Sequence, residues 1–198
     1  MNVMNRYKLK TAPTIYPVSL ADVKRNLRIP TTDTDTDRDT LLQDLIYAAI
    51  DASQNATGRQ YCRATYTLYL DAYPEGDEIE IELGPVDAIS SVKYYAQDAA
   101  VLTTVNSADY QLDNSELTAR LRFLESFSAD ADKMNPVEIE FTTGWATAAA
   151  VPADLKQAVI LRACDMYLSP ENRTENIGMG QRVTSAELKE RNFRVVRY

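Results

Sequence analysis

The sequence predicts a mixed α+β protein: a helical bundle built from N-terminal and C-terminal helices, with an inserted antiparallel β-sheet or sandwich domain and an extended C-terminal tail. Apolar residues recur with helical spacing in two long stretches, near residues 39–57 and 152–168. Between these stretches the apolar period changes to two, which is typical of strands with one wet face. After residue 170 the chain becomes polar, which predicts the tail.

These patterns divide the 198 residues into four parts. Residues 1–17 contain Pro13 and Pro17 and no sustained period, so we predict an extended N-terminal arm. Residues 18–58 and 152–170 are predicted to form the helical core. Residues 61–145 are predicted to form the inserted β domain, and residues 171–198 a C-terminal docking tail.

The first helix is predicted to begin at Ser19, because Asp22 three residues later approximates a capping box. Pro30 closes this helix. The loop that follows contains four alternating aspartates: Asp33, Asp35, Asp37 and Asp39. The pattern superficially resembles a calcium-binding EF-hand loop, but Arg38 occupies the position that requires glycine and Asp44 the position that requires glutamate. We therefore predict a solvated loop that caps the next helix, and the alternative is a calcium site.

Two long helices are predicted to form most of the helical core. The first runs from about Asp39 to Thr57, and Gly58 follows it at a position that favours glycine. The second runs from Pro152 to Leu168 and has so broad an apolar stripe that we predict it to be central. It is either an ordinary core helix or a core helix that also packs against a copy of itself.

The inserted region is predicted to contain six short strands with hairpin-length connections. These strands are Thr65–Leu70, Ile79–Leu83, Ser91–Tyr95, Tyr110–Leu112, Leu117–Phe123 and Val137–Phe141. Four glutamates alternate with apolar residues within them: Glu80, Glu82, Glu138 and Glu140. We interpret them as the solvent face of a half-buried sheet, and the alternative is a catalytic carboxylate pair.

Composition excludes several classes of function. The sequence contains no histidine, which removes Ser/His/Asp and Cys/His catalysis and His-ligated zinc. The two cysteines, Cys62 and Cys164, lack metal-site spacing and are predicted to be free buried thiols. No P-loop, dinucleotide fingerprint or nucleophile elbow occurs, so we predict a protein that is not an enzyme and binds no cofactor or metal.

Charge and hydropathy give further expectations. The net charge of −8 argues against general binding to a nucleic-acid backbone. No apolar run is long enough to cross a bilayer, and residues 1–19 lack the apolar core of a signal peptide, so we expect neither a membrane association nor export by that route.

The predicted tail differs in charge from the rest of the chain. Residues 171–198 hold six basic and four acidic residues, a net charge of +2, so the preceding residues carry −10. An acidic body with a basic, partly apolar tail suggests that the tail docks on another protein. The residues that we expect to dock are the basic and apolar ones near its end: Arg182, Leu188, Arg191, Phe193, Arg194, Val195, Val196, Arg197 and Tyr198.

The order of these segments resembles a known family. Seven segments follow one another between residues 17 and 168: PVSLADVKRNLRI, DTLLQDLIYAAIDASQNATGRQY, TYTLYLDAYP, IEIELGPVDAISSVKYY, ADYQLD, VEIEFTTGW and VPADLKQAVILRACDMYL. In this order and spacing they resemble the head-tail connector (adaptor) proteins of tailed phages. Head-closure or tail-completion proteins, which also form small rings at the same junction, remain the alternative.

The resemblance implies a structural virion protein at the capsid-tail junction, the neck, assembled in the host cytoplasm. It implies a homo-oligomeric ring, a dodecamer, under the portal protein, which extends the DNA channel and receives a head-closure or tail protein. DNA would pass through the channel without specific binding. We expect the tail to dock on the portal or on a neighbouring subunit, and Asp33, Asp35, Asp37 and Asp39 to face the channel or a neighbour.

Overall fold

The structure is a computed structural model that describes residues 6–30, 32–169 and 185–195. The helices are α1 (Leu20–Asn26), α2 (Thr36–Thr57), α3 (Ala153–Leu168) and α4 (Ser185–Glu190). The strands are β1 (Arg6–Thr11), β2 (Ala64–Leu70), β3 (Glu78–Ile81), β4 (Val86–Tyr95), β5 (Leu102–Thr104), β6 (Tyr110–Asp113), β7 (Ala119–Phe123) and β8 (Val137–Thr143). The predicted mixed α+β class is therefore confirmed.

The chain divides into two compact units. We call the described residues within 1–14 and 62–146 the β unit, and those within 15–61 and 147–198 the helical unit. In the described ranges, no helix is both long and apolar enough to span a bilayer. Cys62 and Cys164 are free and buried, as expected.

The β unit is a sandwich of two antiparallel sheets. The larger sheet has the strand order β1-β2-β8-β4-β5, and the smaller has the order β3-β7-β6. Apolar residues of both sheets form a single buried core: Leu68, Leu70, Ile79, Ile81, Val86, Val92, Ala119, Leu121, Phe123, Val137, Ile139 and Phe141. Since both sheets cover this core with one face, their other faces point away from each other.

Six of the strands match predicted ones, and β1 and β5 are additional. Arg6–Thr11 lies within the predicted N-terminal arm, but it pairs antiparallel with β2 and forms an edge of the larger sheet. Its sequence, RYKLKT, alternates charged with apolar or polar residues, which is how an edge strand resists aggregation. A short, charged edge strand and a polar arm have similar sequences, so only the pairing with β2 identifies this segment as a strand.

The helical unit packs α1, α2, α3 and α4 around an apolar core. Its fully or nearly fully buried side chains include Val23, Leu42, Ile46, Ala49, Ile50, Leu155, Ala158, Val159, Ala163 and Ala186. The capping box of Ser19 and Asp22 is confirmed. α2 begins three residues before the predicted start, because Asp35 caps it, and Gly58, with φ +68°, follows its last residue as the C-cap.

Within the predicted tail, the sequence also favours a short helix over residues 185–191, and the described part of the tail contains it. Residues 185–190 form α4, and Arg191–Phe193 form a turn of 3₁₀ helix. Both Ala186 and Glu190 are buried in the helical unit. Burial of these two side chains, four residues apart on one helix face, explains why this part of the tail is helical and packed.

Candidate interaction surfaces

The acidic loop is a helix cap in which two aspartates contact the same arginine. The Asp35 side chain accepts a hydrogen bond from the Arg38 backbone N–H, at 3.1 Å. Asp33 accepts one from the Asp35 backbone N–H, also at 3.1 Å, and forms an ion pair with the Arg38 side chain. The predicted capping role of this loop is confirmed.

Lys24 on α1 neutralises a further carboxylate of the loop. Its Nζ lies 2.5 Å from Oδ1 of Asp39 and donates a hydrogen bond to the Asp33 carbonyl at 3.2 Å. The Lys24 side chain is almost completely buried, so this ion pair also links α1 to the start of α2. Asp37 is exposed, and it differs from the other three because its side chain makes no hydrogen bond or ion pair with any described residue.

The Asp35→Ala substitution is expected to lower the free energy of unfolding by about 1 kcal/mol, because α2 loses its side-chain cap. Asp37→Ala is the matched control, since it removes a charge from the same turn without removing a cap bond. Urea unfolding of both variants measures the difference. Equal losses would show that the loop acts only through its charge.

The described part of the tail, residues 185–195, is held to the helical unit by backbone and side-chain contacts. The Val195 N–H donates to the Thr57 carbonyl at 2.9 Å, and Arg59 Nε donates to the Phe193 carbonyl at 3.1 Å. Gly58 lets the chain approach closely, since a Cβ there would lie 3.0 Å from Cγ2 of Val195. These contacts fix the end of this segment to the end of α2.

The strongest contact of the segment is a buried ion pair. Arg162 Nη2 on α3 donates to Glu190 Oε2 on α4 at 2.7 Å, and the Glu190 side chain is completely buried. Arg162 Nε also donates to the Ser53 hydroxyl at 3.1 Å, which joins α2 to the network. The other oxygen of Glu190 has no hydrogen-bond partner among the described residues. The carboxylate therefore depends on Arg162.

The tail residues predicted to dock fall into three groups. Leu188, Arg191 and Arg194 are exposed on the described segment, and Leu188 is 57% exposed. Phe193 and Val195 are half-buried. Arg182, Val196, Arg197 and Tyr198 lie outside the described residues. The sequence did not identify Glu190 as an anchor; the one signal was Arg162, a cation that follows an apolar run on α3.

Tyr61 lies beside this network and makes the stability of the protein depend on pH. Its hydroxyl donates to the Ser53 carbonyl at 3.2 Å. Burial raises the pKa of Tyr61 to about 12; the Thr57 hydrogen bond opposes this shift and the charge of Glu190 adds to it. Because the pKa is higher in the folded protein than the ordinary value of 10.0, stability is fully present below pH 10 and is lost between pH 10 and about 12.

The Tyr61→Phe substitution is therefore expected to flatten part of the alkaline fall in stability, on the order of 1–2 kcal/mol. Burial, together with Asp77, also raises the pKa of Tyr73 to about 12, so Tyr73→Phe is expected to flatten another part of the same fall. Urea unfolding at several pH values between 9 and about 12 measures each contribution. A slope unchanged in Tyr61→Phe would contradict the prediction.

The outer face of the larger sheet is a charged surface. Cross-strand register places Lys8, Thr67, Glu140 and Ser91 in one row across β1, β2, β8 and β4. A second row contains Tyr69, Glu138 and Lys93. Lys10 Nζ binds Oε2 of Glu140 at 2.6 Å. These side chains line a shallow groove of about 270 Å³. Glu138 and Glu140 lie on the predicted wet face.

The outer face of the smaller sheet is also charged. Glu80, Arg120 and Asp113 form one row across β3, β7 and β6, and Glu78, Arg122 and Gln111 form another. Arg120 binds Asp113 at 2.7 Å and lies 3.8 Å from Glu78. Hydrogen bonds from Ser115 and Arg120 lower the pKa of Asp113 to about 2, so this carboxylate stays ionised at all physiological pH values.

The described residues do not bring together a metal-binding constellation. In ranges 6–30, 32–169 and 185–195, no group of three or more His, Cys, Asp or Glu side chains is placed to hold a metal ion. What the described part of the chain presents instead is three charged or basic surfaces: the two outer sheet faces and the segment 185–195.

No protein-family profile and no curated protein sequence matches the chain. Several solved structures do. A chain in the neck of an empty gene transfer agent (GTA) particle, computed with C6 symmetry, is 28% identical, with a TM-score of 0.77 over 98% of this chain and 97% of that chain. A chain in the native GTA virion is 24% identical, with a TM-score of 0.72 over 97% and 96%. A chain in the native GTA neck, computed with C12 symmetry, is 24% identical, with a TM-score of 0.65 over 96% and 97%.

The chain thus has the fold of proteins found in the neck of a phage-like virion. The two structures below 25% identity support the fold alone. Within that class, the similarity is consistent with the head-tail connector family and bears out the resemblance found in the sequence. It also supports a location at the virion neck.

Proposed function

We propose that the chain is a head-tail connector: a structural neck protein that forms a ring under the portal, extends the DNA channel and links capsid to tail. The observation that carries this proposal is the similarity to a GTA neck chain over 98% of this chain and 97% of that chain. A match over nearly the whole of both chains includes the helical unit and the inserted β unit together. The proposal therefore does not depend on one common motif.

The symmetries of the similar neck structures support a homo-oligomeric ring of twelve copies. One was computed with C6 symmetry and another with C12 symmetry. Twelvefold rotation includes sixfold rotation, so a ring of twelve is compatible with both. Closed cyclic rings require a heterologous contact, in which each subunit uses two different surfaces.

Charge supports the proposed role in DNA passage. The net charge of −8 per chain would accumulate around a ring, and an acidic channel wall repels the phosphate backbone. DNA would then slide without specific binding. Of the four loop aspartates, Asp37 is the one that we propose for a channel or a neighbouring subunit, because it is exposed and its side chain contacts no partner among the described residues. An Asp37→Asn variant that assembles and retains DNA normally would contradict this assignment.

The mass of the purified protein in solution, with and without a portal complex, tests the proposal. Light scattering and negative-stain imaging should show a ring, either alone or only after the portal is added. A protein that remains a monomer and does not bind the portal would overturn the connector role. A ring that ignores the portal but binds a purified head-closure or tail protein would support the alternative, a head-closure or tail-completion protein.

We further propose that the tail, residues 171–198, docks on the portal. Within the described segment, Leu188, Arg191 and Arg194 are exposed and available for such a contact. The triple variant Leu188→Ala, Arg191→Ala, Arg194→Ala leaves the buried Arg162–Glu190 pair in place. It is expected to retain its fold and ring assembly and to bind the portal at least tenfold more weakly. Unchanged portal binding would contradict the docking role of this part of the tail.

A further inference from the structure

The two outer faces of the β unit carry opposite orders of charge. Across the larger sheet, the outer face is basic on β1, uncharged on β2, acidic on β8 and, at Lys93 opposite Glu138, basic on β4. Across the smaller sheet, β3 is acidic, β7 is basic and β6 is acidic. The adjacent strands β8 and β4 are acidic and basic, whereas the adjacent strands β7 and β6 of the other face are basic and acidic. At matching strand positions, each face therefore carries the charge opposite to that of the other face.

Two central side chains of these faces have no ion-pair partner among the described residues. One is Glu138, on β8 in the middle of the larger sheet, and the other is Arg122, on β7 in the middle of the smaller sheet. Their neighbours Glu140 and Arg120 are already paired within the chain. Each face therefore has a charge near its centre that remains available to a partner.

We propose that these two faces bind one another between successive copies of the chain, so that the β unit contributes a heterologous contact to the ring. The proposal rests on the ring function proposed above. It identifies the partner as a second copy, because the complementary pattern is present on the opposite face of the same unit. Faces that point in opposite directions let each copy contact one neighbour on each side, as a ring requires.

Charge also argues against a symmetric contact between two identical faces. Two larger-sheet faces brought together by a twofold axis through their middle strand would place acidic β8 against acidic β8. Two smaller-sheet faces would similarly place basic β7 against basic β7. Like charges in contact are unfavourable, whereas the heterologous contact places β8 against β7. Individual exposed ion pairs contribute little, so the contact needs the whole pattern and should weaken as salt is raised.

Two single charge reversals and their mixture test the proposal with the full chain. The variants are Arg122→Glu, on the smaller-sheet face, and Glu138→Lys, on the larger-sheet face. Each variant alone pairs a reversed face with a native face at every contact, so ring assembly should need at least a tenfold higher protein concentration. In an equal mixture of the two variants, subunits that alternate around the ring bring two native faces together at one contact and two reversed faces together at the next. The mixture should therefore assemble at nearly the wild-type concentration.

Matched reversals at exposed residues away from both faces provide the controls. Arg28→Glu and Glu75→Lys make the same charge changes at exposed positions in turns. Both should assemble as the wild type does, and thermal unfolding of all four variants should confirm that they fold. Assembly is measured by light scattering, with the portal present if the wild type needs it.

Each remaining result overturns the inference. Variants that assemble like the wild type would show that these faces are not in the contact. Folded variants that fail to assemble alone and also fail when mixed would show that the two faces do not meet. A wild-type protein that forms no ring under either condition would overturn the proposed function as well, so the two failures are distinguishable.

Discussion

The Arg162→Met substitution is expected to lower the free energy of unfolding by about 3–5 kcal/mol, the largest effect predicted for this protein. It leaves the completely buried Glu190 carboxylate without its cation, while its second oxygen already lacks a hydrogen-bond partner among the described residues. An uncompensated charge in a dry environment is unfavourable by several kcal/mol. We expect the segment 185–195 to detach before the rest of the helical unit unfolds.

Two measurements separate these effects. Urea unfolding gives the loss of stability, and hydrogen exchange at the Val195 amide, which donates to the Thr57 carbonyl, reports detachment of the segment. The double variant Arg162→Met, Glu190→Leu should recover most of the loss, because an apolar pair replaces the ionic one. Lys189→Met is the surface control: its pair with Asp154, at 3.3 Å, is partly exposed and contributes at most about 1 kcal/mol. A loss in Arg162→Met no larger than that of the control would contradict the prediction.

The Gly144→Ala substitution is expected to destabilise the β unit by at least about 2 kcal/mol. Gly144 has φ +92°, and an added Cβ would lie 2.5 Å from the Cys62 carbonyl oxygen and 2.9 Å from the Arg63 nitrogen. These are backbone atoms, so no side chain can rotate away to relieve the clash. The backbone N–H of Gly144 also donates to the Pro85 carbonyl at 2.8 Å, which ties the end of β8 to the start of β4.

Gly76→Ala is the matched control for Gly144→Ala. Gly76 also has a positive φ, +83°, but no atom lies within 4 Å of an added Cβ. Both variants therefore introduce similar backbone strain, and only Gly144→Ala introduces a clash. Thermal unfolding of the two proteins measures the difference. Equal losses of thermal stability would mean that the close approach of Gly144 to residues 62 and 63 contributes nothing to the destabilisation.

The segment 185–195 limits how the proposed tail docking can occur. Its inner side is occupied by Glu190 and Ala186, so a portal contact uses the exposed Leu188, Arg191 and Arg194 or requires the segment to leave the helical unit. Arg162→Met distinguishes these two routes. If docking uses the packed segment, this variant should bind the portal more weakly. If docking requires release, it should bind more tightly.

Signals within a few residues of sequence predicted most of the helices and strands. A capping box at Ser19, a positive-φ glycine at 58 and period-two alternation on the acidic strands are determined by interactions within a few residues of sequence. The loop of aspartates was predicted as a cap for the same reason, since a cap bond joins residues three apart. The order of these local signals was also enough to indicate the family.

Other features depended on residues that are far apart in sequence. β1 is a strand only because β2, more than fifty residues later, accepts its backbone hydrogen bonds. Glu190 is buried and charged because α3 places Arg162 beside it, and nothing in the sequence around residue 190 predicts that partner. The sequence therefore predicted this residue only as part of the docking tail.

The sequence by itself determined the helices, the main strands, their order and the absence of histidine chemistry, because each of these follows from local spacing or composition. Only the tertiary structure decided which strands lie next to one another in the two sheets. That choice places the order basic, acidic, basic on one outer face and acidic, basic, acidic on the other. Strand pairing over long sequence distances sets these surface patterns, because backbone hydrogen bonds and the shared apolar core select the register.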